Sequence, residues 1–257
     1  MASAAGGRSK AKRNDAGSRT SPLRDRRAKP RTSVDLVRSG KRWTAADLYR
    51  RFGAIPLDRI RFDPPPGLAV EDDVVRINDH EDRLCELVDG VLVEKAVGAH
   101  ESMIASLIIS ILVIHVKKGN LGIVCGEGGT IRLFPGMVRI PDAMFVSWDR
   151  LPGRRPLGPD DPPIPDIAPD LAIEILSKSN TRKEMDDKLR DYFKAGVRLV
   201  WYIDPRKKTV KAYMNENHFE TFGIDQTLTG GDVLPGLEIR LASLFAADAP
   251  GDRLPKS

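Results

Sequence analysis

Asp142, Glu174 and Lys188 stand in surroundings from which they could serve metal-assisted chemistry on a phosphoester. Glu174 lies in the run Asp170-Leu-Ala-Ile-Glu174-Ile-Leu176. On an extended strand Asp170, Ala172 and Glu174 share one face, and Leu171, Ile173 and Ile175 the other. An acid inside so apolar a strand is costly to bury unless it is paired or bound to a cation. The plain alternative is an acid exposed at the strand end. Asp142 follows Pro141 in Val138-Arg-Ile-Pro141-Asp142-Ala-Met-Phe-Val146. Proline gives no ladder hydrogen bond and favours an edge or a bulge. Bulges re-aim side chains, so Asp142 and Glu174 could converge on one hard cation such as magnesium, which takes oxygen ligands. Otherwise Asp142 is a solvent-facing turn acid.

The third element is a helix. Thr181-Arg-Lys-Glu184 matches a capping box, and Glu184, Lys188 and Tyr192 then share one helix face. Glu184 is expected to cap the helix and to pair with Lys188. Lys188 itself is either an ordinary surface lysine or the cation of the site. A strand–loop–helix turn would return it to the sheet end where Glu174 lies.

The elements that must position these groups follow from pattern and punctuation. A short helix over Trp43–Phe52 has Thr44 as its cap and Gly53 as its stop. Asp63-Pro-Pro-Pro-Gly67 breaks the chain. Arg83–Lys95 reads as a hairpin turning at Asp89-Gly90. A long apolar helix spans His100–Lys117. Short strands cover Gly122–Cys125 and Thr130–Phe134, and a further strand, interrupted by Pro141, covers Val138–Val146. After a Pro- and Gly-rich loop come the strand Asp170–Leu176 and a helix over Thr181–Gly196. A hairpin over Arg198–Asp204 and Thr209–Met214 turns at Asp204-Pro205. The remainder holds a short strand or two and a Leu-rich stretch to Phe245. Helices interleaved with strands and hairpins predict an α/β domain with a mixed sheet.

The 257 residues suffice for one sizeable domain and a tail, with 41% hydrophobic and 30% charged residues. The net charge of +5 is unevenly spread. Residues 1–41 hold twelve Lys or Arg against three Asp, a net +9, so the rest of the chain carries −4. That first stretch reads as a disordered basic tail, either solvated or an arm that touches nucleic acid. Cys85 and Cys125 make neither a disulfide framework nor a CxxC pair. They suit a reducing cytoplasm, and the N-terminus lacks the apolar core of a secretory signal. The strongest apolar run, Met103–Val116, is short for a membrane span and reads as a buried helix. No GxSxG, HExxH, zinc-finger or Walker pattern occurs.

Several segments in order resemble the Uma2 family of restriction-type endonucleases. They are Glu86-Leu-Val-Asp-Gly90, Pro141-Asp142, Glu174-Ile-Leu-Ser177 with Lys188 and Tyr192 after it, Ala195-Gly-Val-Arg198, Trp201-Tyr-Ile-Asp204-Pro205, and Leu234-Pro-Gly236-Leu. The resemblance runs from about Leu84 to Phe245. It implies a restriction-endonuclease-like fold, a mixed β-sheet flanked by helices, and a PD-(D/E)xK site that uses Mg2+ or Mn2+. By resemblance Asp142 and Glu174 are metal ligands, Glu86 is a further acidic ligand, and Lys188 is the lysine partner. His100 matches a family histidine without an assigned role. A standard motif would place lysine where Leu176 stands, so the lysine must come from the following helix. The family tends to have proline where this chain has Lys178.

The organisation expected is a tail at 1–41, a helical and Pro-rich extension at 42–82, the Uma2-like endonuclease domain at 83–246 and a C-terminal tail at 247–257. The function implied is metal-dependent hydrolysis of DNA in the cytoplasm, without a membrane. A homodimer is compatible, the oligomeric state being open. The rival reading is a nuclease-like core that has lost turnover and docks nucleic acid or a protein.

Overall fold

The computed structural model describes residues 40–81, 83–96 and 98–246. Apart from Gly40 and Lys41, the two expected tails lie outside the described residues.

Helix α1 (Ala45–Phe52) begins at Thr44, whose hydroxyl accepts from the Asp47 amide while the Asp47 carboxylate accepts from the Thr44 amide; Gly53 closes it. A second helix, α2 (Glu71–His80), lies in the expected extension. Its Val74 and Ile77 are fully buried against Cys85, Leu87, Leu92 and Val138. Strands β1 (Cys85–Val88) and β2 (Val91–Glu94) form the expected hairpin. Asp89 (φ 51°) and Gly90 (φ 79°) both sit in the left-handed region that a two-residue hairpin turn requires.

The apolar helix, α3, extends over Ala99–Gly119, 21 residues, and is longer than the apolar run in the sequence. By length and composition alone it could cross a membrane. One face, Ile104, Ala105, Ile108, Leu112 and Val116, is buried on the sheet. It is therefore not the buried helix that the sequence suggested, because the opposite face meets solvent and leaves Ile114 70% exposed.

Strands β3 (Gly122–Gly126) and β4 (Ile131–Phe134) follow. The strand expected over Val138–Val146 is two strands in two different sheets, β5 (Met137–Arg139) and β6 (Ala143–Ser147). The sequence pattern is continuous, but Pro141 carries no N–H for either ladder, and the chain crosses between the sheets at Ile140-Pro141-Asp142. Then come β7 (Leu171–Ile175), α4 (Arg182–Lys194), β8 (Leu199–Asp204) and β9 (Thr209–Asn215). The C-terminal part has three strands, β10 (His218–Phe222), β11 (Thr227–Gly230) and β12 (Leu234–Arg240), and a last turn of helix, α5 (Leu241–Phe245). This is more strand than the sequence suggested, because β10 is mostly exposed and shows no alternation of apolar and polar residues.

The large sheet has the order β10-β9-β8-β7-β6-β3, a small sheet has the order β2-β1-β5-β4, and β11 pairs with β12. β7 and β8 run parallel, with α4 as their crossover, and the other paired strands are antiparallel. The two faces of β7 separate as its period predicts. Leu171, Ile173 and Ile175 join the core under α3 and α5, whereas Ala172 joins the core under α4 and α1. The result is a mixed α/β fold with helices on both faces of its main sheet.

Candidate active site

The site lies where the large sheet, the small sheet and α4 meet. Glu174 occupies the α4 face of β7 and is buried. The reading of it as an exposed strand-end acid does not hold. Both of its oxygens accept from the Lys188 ammonium at 3.1 Å, and Oε1 also accepts from the Tyr192 hydroxyl at 2.5 Å. Lys188 and Tyr192 reach it together because they are one helical turn apart on α4. The helix is held in place by its Thr181–Glu184 capping box. At its other end Gly196 (φ 89°) donates to Phe193 and Val197 donates to Tyr192, each at 3.0 Å.

Glu86 arrives from β1 of the small sheet. Its carboxylate accepts from Lys188 at 3.1 Å, from Arg139 at 2.8 Å and from the Ile140 amide at 3.1 Å. Arg139 also pairs with Asp191 of α4. Lys188 is thus a buried bridge between acids of two sheets, only 3% exposed, and not a surface lysine.

Asp142 stands just past the sheet crossing. Its amide donates to the Ile173 carbonyl at 2.9 Å, and its Oδ2 accepts from the Ile175 amide at 2.5 Å. It is therefore fixed beside the strand that carries Glu174. Its Oδ1 lies 2.7 Å from the Lys95 ammonium, which also donates to the Ile140 carbonyl at 2.8 Å. Asp142 is neither a free turn acid nor fully sealed, its side chain being 15% exposed.

Two expected relationships differ in the structure. Glu184 caps α4 as expected, but its ion-pair partner is Arg59, which donates two hydrogen bonds to it at 2.7 and 3.0 Å; Lys188 is taken by Glu174 and Glu86. Asp170, on the same face as Glu174 by period, lies outside this cluster, where Arg150 and the Ser147 amide bind it. His100 is exposed at the start of α3 and lines a depression of about 450 Å³ with Lys178, Ser177 and Arg206, next to the loop that follows Glu174.

Sequence reasoning passed over Lys95, Arg139, Arg59 and Asp191. Arg139 leaves a signal, a cation in an apolar strand three residues before Asp142. Lys95 closes the apolar hairpin. Arg59 lies 125 residues from Glu184 and has no local signature.

The electrostatics follow from this packing. Burial raises the Glu86 carboxyl, but Lys188, Arg139 and the Ile140 amide outweigh it and hold it at about 2. Glu174 goes the other way. Burial raises it, Asp142 and Glu86 add anionic repulsion, and Lys188 only partly offsets them. The two acids differ although they share Lys188, because of the two only Glu86 also binds Arg139 and the Ile140 amide. Burial disfavours the Lys188 charge, yet Glu174 and Glu86 raise its pKa well above the ordinary value. Burial and the Glu174 anion likewise keep Tyr192 protonated.

The donor chemistry fits a hard divalent cation. Asp142, just before β6, and Glu174, on β7, bring carboxylate oxygens side by side, each with a donor of the protein's own, and positive charge compensates Glu174 only in part. Among the described residues no three acidic, His or Cys side chains close around one point. A bound ion would complete its shell with water and phosphate oxygens, as magnesium commonly does.

Comparison with known proteins bears on the family and the fold. The profile of the Uma2 family, described as "Putative restriction endonuclease", matches residues 61–242. No curated protein matches the chain. The crystal structure of a putative nuclease belonging to DUF820 from Anabaena variabilis superposes with a TM-score of 0.57 at 25% identity, covering 64% of this chain and 91% of that one. The restriction-endonuclease-like fold, and a profile match over most of the chain, place this protein in the Uma2 family.

Proposed function

We propose that this chain is a divalent-cation-dependent endonuclease that hydrolyses phosphodiester bonds of DNA in the cytoplasm. The observation that carries the reading is the Lys188 bridge. A lysine from the helix after β7 lies 3.1 Å from Glu174, whose strand also binds Asp142 through the Ile175 amide, and in this reading it takes the part of the lysine that a standard motif has where Leu176 stands. The family and the structural neighbour support a nuclease role.

In this reading Asp142 and Glu174 hold Mg2+ or Mn2+, with Glu86 as the third acid of the site. When bound, such an ion lowers the pKa of a ligated water and polarises a phosphoryl oxygen. Lys188 and Tyr192 orient the Glu174 carboxylate, Glu86 anchors Lys188, and Arg139 in turn holds Glu86. The lysine supplies a fixed positive charge in a water-poor setting, where loss of one such group typically slows turnover about 10²–10³-fold.

One observation favours the rival reading of a binding module without turnover. Each oxygen of Asp142 and Glu174 already has a donor of the protein's own. Incubating purified full-length protein with supercoiled plasmid decides between them. Nicking that needs Mg2+ or Mn2+, stops with chelator and is absent in Asp142→Asn supports the nuclease. DNA binding without nicking under every cation selects the binding module.

A further inference from the structure

We propose that the groove between α4 and strands β8–β10 binds an unpaired nucleic-acid strand and leads it to Glu174, so that the substrate carries a single-stranded segment. The proposal rests on the nuclease reading above. The groove encloses about 810 Å³, and its inner end is lined by Leu176, Ser177 and Asn180, the residues that follow Glu174 into α4. Strand register sets the floor of the groove in line with Glu174, which is itself buried. On the α4 face Glu174 neighbours Tyr202, Tyr202 neighbours Lys211, and Lys211 neighbours Thr221 on the outermost strand. At the usual spacing between strands this row spans about 14 Å.

Rings stand beside that row, Tyr202 on it and Tyr213 with Phe219 two residues along the strands. Tyr202 and Tyr213 meet edge to face at 5.3 Å, and Tyr213 and Phe219 meet at 4.9 Å. Tyr202 is locked by its hydroxyl, which donates to the Met185 carbonyl at 2.7 Å. Phe219 sits at a register shift in β10, the kind of irregularity that re-aims a side chain, and stays 43% exposed. Rigid rings ending in an exposed one are a stacking platform, and every base offers a π-face to such a platform.

The charges suit a phosphate backbone. Lys211 pairs with no carboxylate among the described residues, and its ammonium lies 4.6 Å above the Phe219 ring. Arg206 and Lys207 are largely exposed at the β8–β9 turn. Of the acids lining the groove, Asp204 faces Arg206 and Lys207, and Asp186 faces Arg182, which leaves Glu216 as the one without a cation among the described residues. Bases within a duplex already stack on one another and cannot use Phe219, so the groove selects an unpaired strand over a duplex.

The test is binding of a fluorescent oligothymidylate, and of a hairpin duplex of equal length, to the full chain in chelator, where nothing is cut. Wild-type protein should prefer the single strand. Phe219→Ala should weaken single-strand binding about ten-fold or more, the loss of one stacked base, and leave the duplex unchanged. Phe219→Trp should restore it, and Lys211→Ala should weaken it and flatten its salt dependence. Thermal unfolding of each variant verifies folding at these exposed positions. Equal single-strand binding by wild type and Phe219→Ala, or equal losses on both probes, would overturn the groove. Because cleavage is not the readout, a groove that binds as described in a protein that cuts nothing would sink the nuclease reading alone.

Discussion

Lys188 lies 3.1 Å from Glu86 on the small sheet and 3.1 Å from Glu174 on the large one, so a single ammonium ties the two sheets together through α4. Lys188→Met should therefore damage stability as well as activity. Removing one partner of a buried ion pair typically costs about 3–5 kcal/mol, because the other charge stays buried and unpaired. Urea unfolding should show a midpoint lowered accordingly at unchanged slope. A loss below ~0.5 kcal/mol, as at an ordinary surface position, would contradict the burial of this side chain.

Asp142→Asn and Glu174→Gln keep shape and remove charge. Titration calorimetry with Mn2+ should show heat of binding for the wild type and a strongly weakened response in both variants, with near-native circular dichroism. Glu86→Gln offers a contrast, since two cations, Lys188 and Arg139, already neutralise Glu86 while positive charge compensates Glu174 only in part; its affinity should fall less. Wild-type affinity in the Asp142 and Glu174 variants would move the ion elsewhere.

The metal-free protein should lose stability in acid through Glu86. Its carboxyl is held at about 2, below the ordinary 4.5. A depressed folded-state value gives stability that is present above the unfolded value and lost as pH falls through the folded one. The window is therefore roughly pH 4.5 down to 2, and a shift of this size is worth on the order of 3 kcal/mol. Glu174 is raised, so its protonation on acidification favours the folded state and partly masks the loss. At the other end, the raised Lys188 value gives stability present below the unfolded lysine value and lost only as pH rises through the folded one. Urea midpoints against pH should fall steeply over the acid window for the wild type and more gently for Glu86→Gln; parallel curves would refute the assignment.

Deleting residues 1–41 removes a net +9. If that stretch binds phosphates, DNA affinity should drop and the log–log salt slope should flatten by about 0.9 for every phosphate that it neutralises. An unchanged slope would leave those residues without a role in binding DNA.

Much of the fold was legible because its signals are local. Thr44 and Gly53 bound α1, Asp89-Gly90 sets the first hairpin, and the period of β7 assigns its two faces. The crossing at Pro141 was half legible. The proline announced a break, but only pairing partners distant in sequence decide that the two pieces belong to different sheets. Within the site, Glu174, Asp142 and Lys188 stood out as charges in apolar or helical patterns. The Arg59–Glu184 pair and the Lys95–Asp142 pair did not, because a cation and an acid tens of residues apart become partners only through tertiary packing. The role of α3 was misread for a related reason. An apolar helix shows no amphipathic stripe, so its pattern could not tell that one side would face water.

The ion cluster between the sheets has a consequence for how this protein can change. Five acids, Glu86, Asp142, Glu174, Glu184 and Asp191, and four bases, Lys95, Lys188, Arg59 and Arg139, occupy volume that apolar side chains could fill. Exchanging such a set as a whole for well-packed hydrophobic residues is often neutral or stabilising, whereas removing any one member is strongly destabilising. Single substitutions therefore lead downhill in stability from every side, and the more stable apolar alternative lies across a valley of several simultaneous changes. The charged centre is easy to break and hard to replace.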